Sequence, residues 1–272
     1  MSKVDLHVHT TASDGQYAPA DVVRLALERG IRVLAITDHD TVAGVPEALA
    51  AASGTPLEVI PGVEMSTETH HGEVHILGYY VDIEEARFLA LLDRLRDARR
   101  VRAQHMVERL AKLGVHVPWQ RVADLVGAGA YGRPHIARIL VELGYVPNTH
   151  DAFAQYIGYH GPAYVARYKL TPAEAIHAIA RAGGVPVLAH PWGIEDLGGV
   201  VADLVAEGLA GIEVYYRGYT PEMMQELVNL ARKHGLAATG GSDFHGAQIV
   251  AGVELGSVDV PLWAVEELRA RR

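Results

Sequence analysis

Cysteine is absent from the 272 residues, which excludes disulfides and thiolate metal sites outright. Any metal ion held here must bind nitrogen and oxygen donors. Long apolar runs are missing as well: no window nears the ~18–20 uninterrupted apolar residues that a membrane helix needs. The leading stretch MSKVDLHVHTTASDG has no apolar core of the secretory kind, so neither a signal peptide nor a membrane association is expected, and the cytoplasm is the default location. Positive charge is in deficit, 24 Lys and Arg against 33 Asp and Glu, for a formal net charge of −9. That balance argues against broad or stable binding to nucleic acid, although metal ions can reverse the local sign and admit an anionic substrate. No repeat, low-complexity tract or linker divides the chain, and no obligate protein partner is implied.

What is present in excess is histidine: 15 residues, many beside Asp, Glu or another His. Short apolar runs at 4–8, 33–37, 57–61, 74–80, 185–189, 212–215 and 236–239 read as strands. Between most of them lie amphipathic stretches with helix start and stop signals. Pro19 opens one that runs to Gly30. Thr171-Pro172-Ala173-Glu174 has the form of a capping box closed by Gly183-Gly184, and Thr220-Pro221 opens a helix ended at His234-Gly235. Strands alternating with helices imply an α/β fold with a parallel sheet, open or closed into a barrel. The alternation stops between about 83 and 163, where only helical patterns occur. That stretch is expected to be a small helical insertion, a cap of residues 99–163 between strands four and five, with 1–98 and 164–272 forming the catalytic unit.

The strand ends carry the chemistry. They deliver Asp5-Leu6-His7-Val8-His9 with Asp14, then Thr37-Asp38-His39-Asp40, then Gly62-Val63-Glu64, then His75, His190-Pro191, and Gly241-Ser242-Asp243-Phe244-His245. Parallel α/β sheets place ligands at the carboxyl ends of their strands, and six of the seven predicted strands supply a donor there. His7 and His9, two apart, project to one side of a strand. Imidazole and carboxylate donors suit zinc, manganese or ferrous iron, and the lack of thiolates removes the main reason to single out zinc.

These motifs resemble the PHP (polymerase and histidinol phosphatase) phosphoesterases in kind, order and spacing along nearly the whole chain. The resemblance implies a distorted (β/α)7 barrel and a cluster of up to three divalent metals, manganese foremost with iron or zinc as alternatives. It places one metal on His7, His9, Glu64 and Asp243, a second on Asp14, His39 and His245, and a third on His75 and His190 with Glu64 bridging. Three carboxylates against three divalent ions leave a net positive site suited to phosphate. The expected reaction is in-line attack on phosphorus by a hydroxide shared between metals, with Glu64, Asp243 and His245 as catalytic groups.

The insertion and Arg133-Pro134-His135 are similar to a subgroup of nucleoside 3′,5′-bisphosphate phosphatases and short-RNA 5′→3′ exonucleases. Arg133, His135 and Arg217 are the candidate contacts for a phosphorylated nucleotide or short-RNA substrate, His135 standing equally well as a packed side chain. Histidinol phosphate or another small phosphate ester is the rival substrate, and a metal-binding module without turnover is the rival of another class. Asp38 and Asp40 are expected to orient ligands or cap loops, and Glu213 to touch substrate or else to be a packed strand-end polar group. The run Arg94–Arg102 is expected to be a solvated helix face, which a cap helix could alternatively offer to a nucleic-acid end. His70 and His71 fall in an irregular or hairpin-like stretch, where a ligand role is the lesser of two readings. The string Gly127-Ala128-Gly129-Ala130-Tyr131-Gly132 fits G-x-G-x-x-G but follows a helical pattern, so no dinucleotide site is expected.

Overall fold

A computed structural model describes residues 3–69, 72–127, 129–166, 168 and 170–272; His70, His71 and Ala128 lie outside that set. Seven strands form one sheet in sequence order: β1 (Val4–Asp5), β2 (Val33–Ile36), β3 (Glu58–Thr69), β4 (Gly72–Tyr79), β5 (Val185–Leu188), β6 (Gly211–Tyr216) and β7 (Ala237–Gly241). Six run the same way. β4 alone is reversed, pairing antiparallel with both β3 and β5. This corrects the expectation of a wholly parallel sheet: β3 continues far beyond Pro61 and turns directly into β4, with no helix to carry the chain back. The reversal matters for the site. His75 lies in the first half of β4, opposite Ser66, so only an antiparallel strand brings it to the rim where the parallel strands end.

The sheet curls until its edges meet. The Leu6 amide donates to Gly240 O at 3.2 Å, the His9 amide to Phe244 O at 2.9 Å and the Phe244 amide to His7 O at 3.3 Å. Tyr79 of β4 donates its hydroxyl to Leu6 O at 3.0 Å. In a flat sheet those strands would stand roughly 14 Å apart, so the hydrogen bond requires a nearly closed barrel. Asp5 ties the seam, accepting from the Ser242 amide at 2.9 Å, the Ser242 hydroxyl at 2.6 Å and the Gly256 amide at 2.8 Å. Gly240-Gly241 is required there by close approach: a Cβ on Gly241 would collide with the backbone and Cβ of His7.

Helices α1 (Pro19–Glu28), α2 (Val45–Ala52), α7 (Pro172–Arg181), α8 (Leu197–Ala206) and α9 (Pro221–His234) surround the sheet, while α10 (Trp263–Arg269) packs on β7. The Thr171/Glu174 capping box forms, with the Thr171 amide 2.8 Å from Glu174 Oε2. Between β4 and β5 come α3 (Ala86–Lys112), α4 (Trp119–Val126), α5 (Arg133–Glu142), α6 (Thr149–Ala152) and a π-helical turn (Phe153–Ile157). α3 belongs to two cores. Phe88, Leu92 and Leu95 join the cluster around the sheet, whereas Ala103, Met106 and Leu110 join Val122, Ile136 and Leu140 of the following helices. The Gly-rich string sits after α4, where the Ala130 amide donates to Ala12 O at 3.1 Å. No helix among the described residues is long and apolar enough to cross a membrane.

The seam predicts a stability defect. Gly241→Ala should cost about 1–3 kcal/mol, the usual penalty of overpacking, as read from urea denaturation midpoints. An unchanged midpoint would show that β1 and β7 are not held as closely as described.

Candidate metal centre

All nine residues expected as metal ligands meet at the rim formed by the strand ends, and Glu64 is their hub. Its Oε2 lies 3.3 Å from His7 Nε2, 3.2 Å from His9 Nε2 and 3.0 Å from His39 Nδ1. Its Oε1 lies 2.7 Å from His75 Nδ1 and 3.1 Å from His190 Nε2. Asp243 Oδ1 stands 3.4 Å from His7 Nε2 and 3.2 Å from His9 Nε2. Asp14 closes the other side, 3.4 Å from His245 Nε2, 3.8 Å from His9 Nδ1 and 4.0 Å from His39 Nε2. The rings themselves are crowded, His9 stacking on His245 with centroids 4.0 Å apart.

Local structure aims these groups. His7 Nδ1–H donates to Glu213 Oε1 at 3.0 Å, which turns the Nε2 lone pair toward Glu64 and Asp243. His245 Nδ1 faces the Asp243 carbonyl at 3.0 Å, and since a carbonyl only accepts, Nδ1–H donates and Nε2 is left facing Asp14. Asp38 holds the loop that leads to Asp14, accepting from the Thr10 amide and hydroxyl, both at 2.7 Å, and the Ser13 hydroxyl at 2.6 Å. Asp40, His190 and Asp243 all adopt positive φ, of 52°, 28° and 53°. Such conformations cost energy in residues other than Gly and concentrate where geometry serves a function.

Glu213 and Tyr216 reach the site through a β-bulge. Glu213 pairs with Thr239 but Tyr215 pairs with Gly240, leaving Val214 as the extra residue. Without it, positions three apart would face opposite sides of the sheet. With it, Glu213 braces His7 while Tyr216 donates to Asp243 Oδ2 at 2.7 Å. Glu213 also accepts from the His190 amide at 2.7 Å and is fully buried, so of its two expected roles it fills that of a packed strand-end group, bracing His7 and His190 and not facing substrate.

The donors fit a cluster of cations. Among the described residues, buried polar atoms without a hydrogen-bond partner gather here: His7 Nε2, both His9 nitrogens, Asp14 Oδ1, His39 Nδ1, Glu64 Oε2 and His75 Nε2. Three sets close enough to share an ion emerge: His9, Asp14, His39 and His245; His7, His9 and Asp243; and His39, Glu64 and His75. His190 joins none of the three, although it touches Glu64. Orphaned buried donors and acceptors are costly, and divalent ions would satisfy them together.

Without metal, charge balance falls to protons. Burial is the largest influence on each group and disfavours its charged form. The mutual attraction of carboxylates and imidazoles overcomes it, raising His9 to about 10 through Asp243 and Glu64, and His75 to about 9 through Glu64 and Glu73. Asp14, Glu64 and Asp243 are held well below the usual carboxylate range by the surrounding imidazoles. Burial lowers His39.

The expected substrate residues are distributed less simply. Arg133 lines a cavity of ≈310 Å³ together with Asp14, His39, His75 and His190. His135 lines a neighbouring cavity that also borders Asp14, and its Nδ1 accepts from the Gly132 amide at 3.1 Å, capping α5. Arg217 donates to Asp243 Oδ2 at 3.0 Å. Arg99 and Arg102 are buried, contrary to the expectation of a solvated face. Arg99 donates to Asp40 at 2.6 Å and to the Ser66 hydroxyl at 2.7 Å, which locks α3 onto the loop beside His39.

Residues 5–126 match the family model described as PHP domain. The chain is 39% identical to the 5′-3′ exoribonuclease Rnm of Salmonella typhimurium over 93% of its own length and 87% of that protein's. It is 33% identical to a 3′,5′-nucleoside bisphosphate phosphatase of Chromobacterium violaceum, covering 100% and 98% of the two chains. A solved structure from Bifidobacterium adolescentis, described as a metal-dependent phosphoesterase, superposes with a TM-score of 0.90 at 33% identity, over 98% of this chain and 96% of the other.

Protons and metal compete for the same atoms. With His9 and His75 protonated near neutrality, apparent affinity for Mn²⁺ should rise at least about tenfold per pH unit between 6 and 8. An affinity independent of pH, measured by calorimetry, would rule out the proton-filled site. The metal-free fold should respond oppositely: raised imidazole pKa values contribute stability fully present below about 6.5 and lost as pH climbs through about 9–10.

Proposed function

The chain belongs to the PHP family of metal-dependent phosphoesterases, hydrolases of phosphate esters, and from that premise we propose that its substrates are nucleotides: nucleoside 3′,5′-bisphosphates, mononucleotides or short oligoribonucleotides. The observation that carries this reading is the shared cavity. Asp14, His39, His75 and His190 line it together with Arg133 and Phe153, whose ring lies 5.5 Å from the Arg133 guanidinium. A phosphate ester extending from the metal centre therefore meets a cation and an aromatic face, the pairing that single-stranded nucleotides need. The names of the two relatives point to the same chemistry.

We assign the ligands as His7, His9, Glu64 and Asp243 for one ion, Asp14, His39 and His245 for a second, and His75, His190 and bridging Glu64 for a third, with manganese the preferred metal. Bound there, the ions would polarise the phosphoryl oxygens and lower the pKa of water near neutrality. The protein's part is orientation and charge. Glu213 holds His7 in its ligating tautomer, while Tyr216 and Arg217 tie one oxygen of Asp243 and leave Oδ1 toward the histidines. Arg217 thus acts on substrate through Asp243. Arg133 holds a substrate phosphate, and His135 fixes the start of the helix that carries Arg133. The helices of 99–163 serve as the cap that covers the rim.

Phosphate release with Mn²⁺ should be measured for adenosine 3′,5′-bisphosphate, 5′-AMP, 5′-phosphorylated short RNAs and histidinol phosphate. Nucleotides should be hydrolysed with kcat/KM at least about 100-fold above histidinol phosphate. Preference for histidinol phosphate, or inertness toward every nucleotide, would overturn the reading. Asp243→Ala should cost at least about 1,000-fold in activity and measurable metal content while the far-ultraviolet spectrum is retained.

A further inference from the structure

A second cavity adjoins the one that holds Arg133, on the side away from the inserted helices. Its volume is ≈590 Å³, within the ~300–1,000 Å³ usual for small-molecule sites. Glu73 and His190 line both cavities, so the two meet beside the rim. Beyond them the second cavity lies between the β3–β4 hairpin, at Thr69 and Val74, and the loop after β5, at Trp192 and Glu195. Its chemistry differs from that of its neighbour. Arg99, Arg102 and Arg133 line the first, whereas the second has no lysine or arginine among its described lining residues and has two carboxylates, Glu73 and Glu195. Such a lining repels a phosphate and suits a neutral group that carries hydrogen-bond donors.

Trp192 gives this cavity an aromatic face. Its side chain is 38% exposed, yet the chain beneath it is held on both sides. The Ile194 amide donates to Pro191 O at 3.2 Å, closing a turn in which Gly193 takes a φ of 100°. A type II turn needs positive φ at that third position, and glycine adopts it without strain. The Trp192 amide donates to the Tyr219 hydroxyl at 2.9 Å, and the two rings lie 6.2 Å apart. A lone exposed aromatic is ordinary on a protein surface. This one is anchored two residues from His190 and lines a cavity that opens onto the metal centre. With its backbone fixed in advance, little entropy remains to be lost when a flat ligand stacks there.

We propose that the second cavity seats the nucleoside on the far side of the scissile phosphate when the substrate is a phosphodiester, with the base of that nucleoside stacked on Trp192. The inference rests on the nucleotide reading of the metal centre. A phosphate monoester carries one organic group and needs one cavity beside the rim, whereas a diester carries two and needs two. Because the cavities meet at Glu73 and His190, a diester held at the metal ions extends one nucleoside toward Arg133 and Phe153 and the other toward Trp192. Stacking accepts any base, since each has a π-face. Trp192 therefore favours chains over single nucleotides without reading their sequence. It makes no contact with the reacting atoms, so its loss should appear in KM more than in kcat.

The test compares 5′-phosphorylated ApA with adenosine 3′,5′-bisphosphate, which lacks the second nucleoside, in manganese-loaded wild type, Trp192→Ala and Trp192→Phe. Trp192→Ala should raise KM for the dinucleotide roughly 5–100-fold, the range of one base–aromatic stack, and the rise for the bisphosphate should be at least about fivefold smaller. Trp192→Phe, which keeps a ring, should fall between wild type and Trp192→Ala. A dinucleotide lacking its second base should show in wild type the KM that intact dinucleotide shows in Trp192→Ala. In Trp192→Ala the missing base should bring no further rise, because the same contact is lost from either side. The abasic comparison in wild type decides the matter even where Trp192→Ala does not fold. Equal rises for both compounds, no rise in Trp192→Ala, or wild type cleaving the abasic dinucleotide as readily as the intact one would overturn the proposal and leave the nucleotide reading intact. So would a wild type active on the bisphosphate alone. Hydrolysis of neither compound would instead defeat the reading on which the proposal rests.

Discussion

One carboxylate, Glu64, stands buried against five imidazoles, all within 3.3 Å of its oxygens. Those histidines arrive from four different parts of the sheet: His7 and His9 after β1, His39 after β2, His75 from β4 and His190 after β5. No local interaction brings them together. The barrel must close for β1 to reach β7, and β4 must run backwards for His75 to reach the rim. Burial alone would favour the neutral acid, but the surrounding imidazoles hold Glu64 well below the usual carboxylate range, so its charge is balanced by protons on those rings when metal is lacking and would be balanced by cations with metal bound. The fold is therefore constrained by the electrostatics of its centre as much as by its apolar clusters.

A second layer converts that crowd into defined geometry. Glu213 selects the His7 tautomer, Asp38 shapes the approach to Asp14, and Tyr216 with Arg217 holds one side of Asp243. These partners determine which lone pairs face the common volume. The bulge at Val214 lets one strand serve both His7 and Asp243. Positive φ at His190 and Asp243 has the same character, backbone strain held in place by surrounding structure so that a side chain points where a regular strand end would not send it.

The helices inserted between β4 and β5 share this logic of coupling. α3 begins in the core around the sheet and ends in the core of the inserted helices, and the Arg99–Asp40 pair fastens it beside His39. An arginine-rich helix read without its neighbours looks solvated, because charge on a helix usually faces water. Here two of those arginines are buried, one paired with a carboxylate and one turned to the cavity. The physical difference lies entirely in what packs against the helix.

The residue pattern by itself was enough to name the histidines and carboxylates that meet at the rim. Histidine and carboxylate recurring at strand ends is a local signal, and the two-residue period of a strand makes His7 and His9 converge before any tertiary contact is known. Helix bounds such as those of α7 and α9 were equally legible, because capping and proline act within a single turn. Tertiary structure alone decided the direction of β4, the bulge in β6, the burial of Glu213, Arg99 and Arg102, the pairing of Arg217 with Asp243 and the capping role of His135 Nδ1. All but the last depend on contacts between segments distant in the chain; the His135 cap reaches only to Gly132, in the same turn. The period of a strand says which residues share a face, while only the closed barrel says what that face meets.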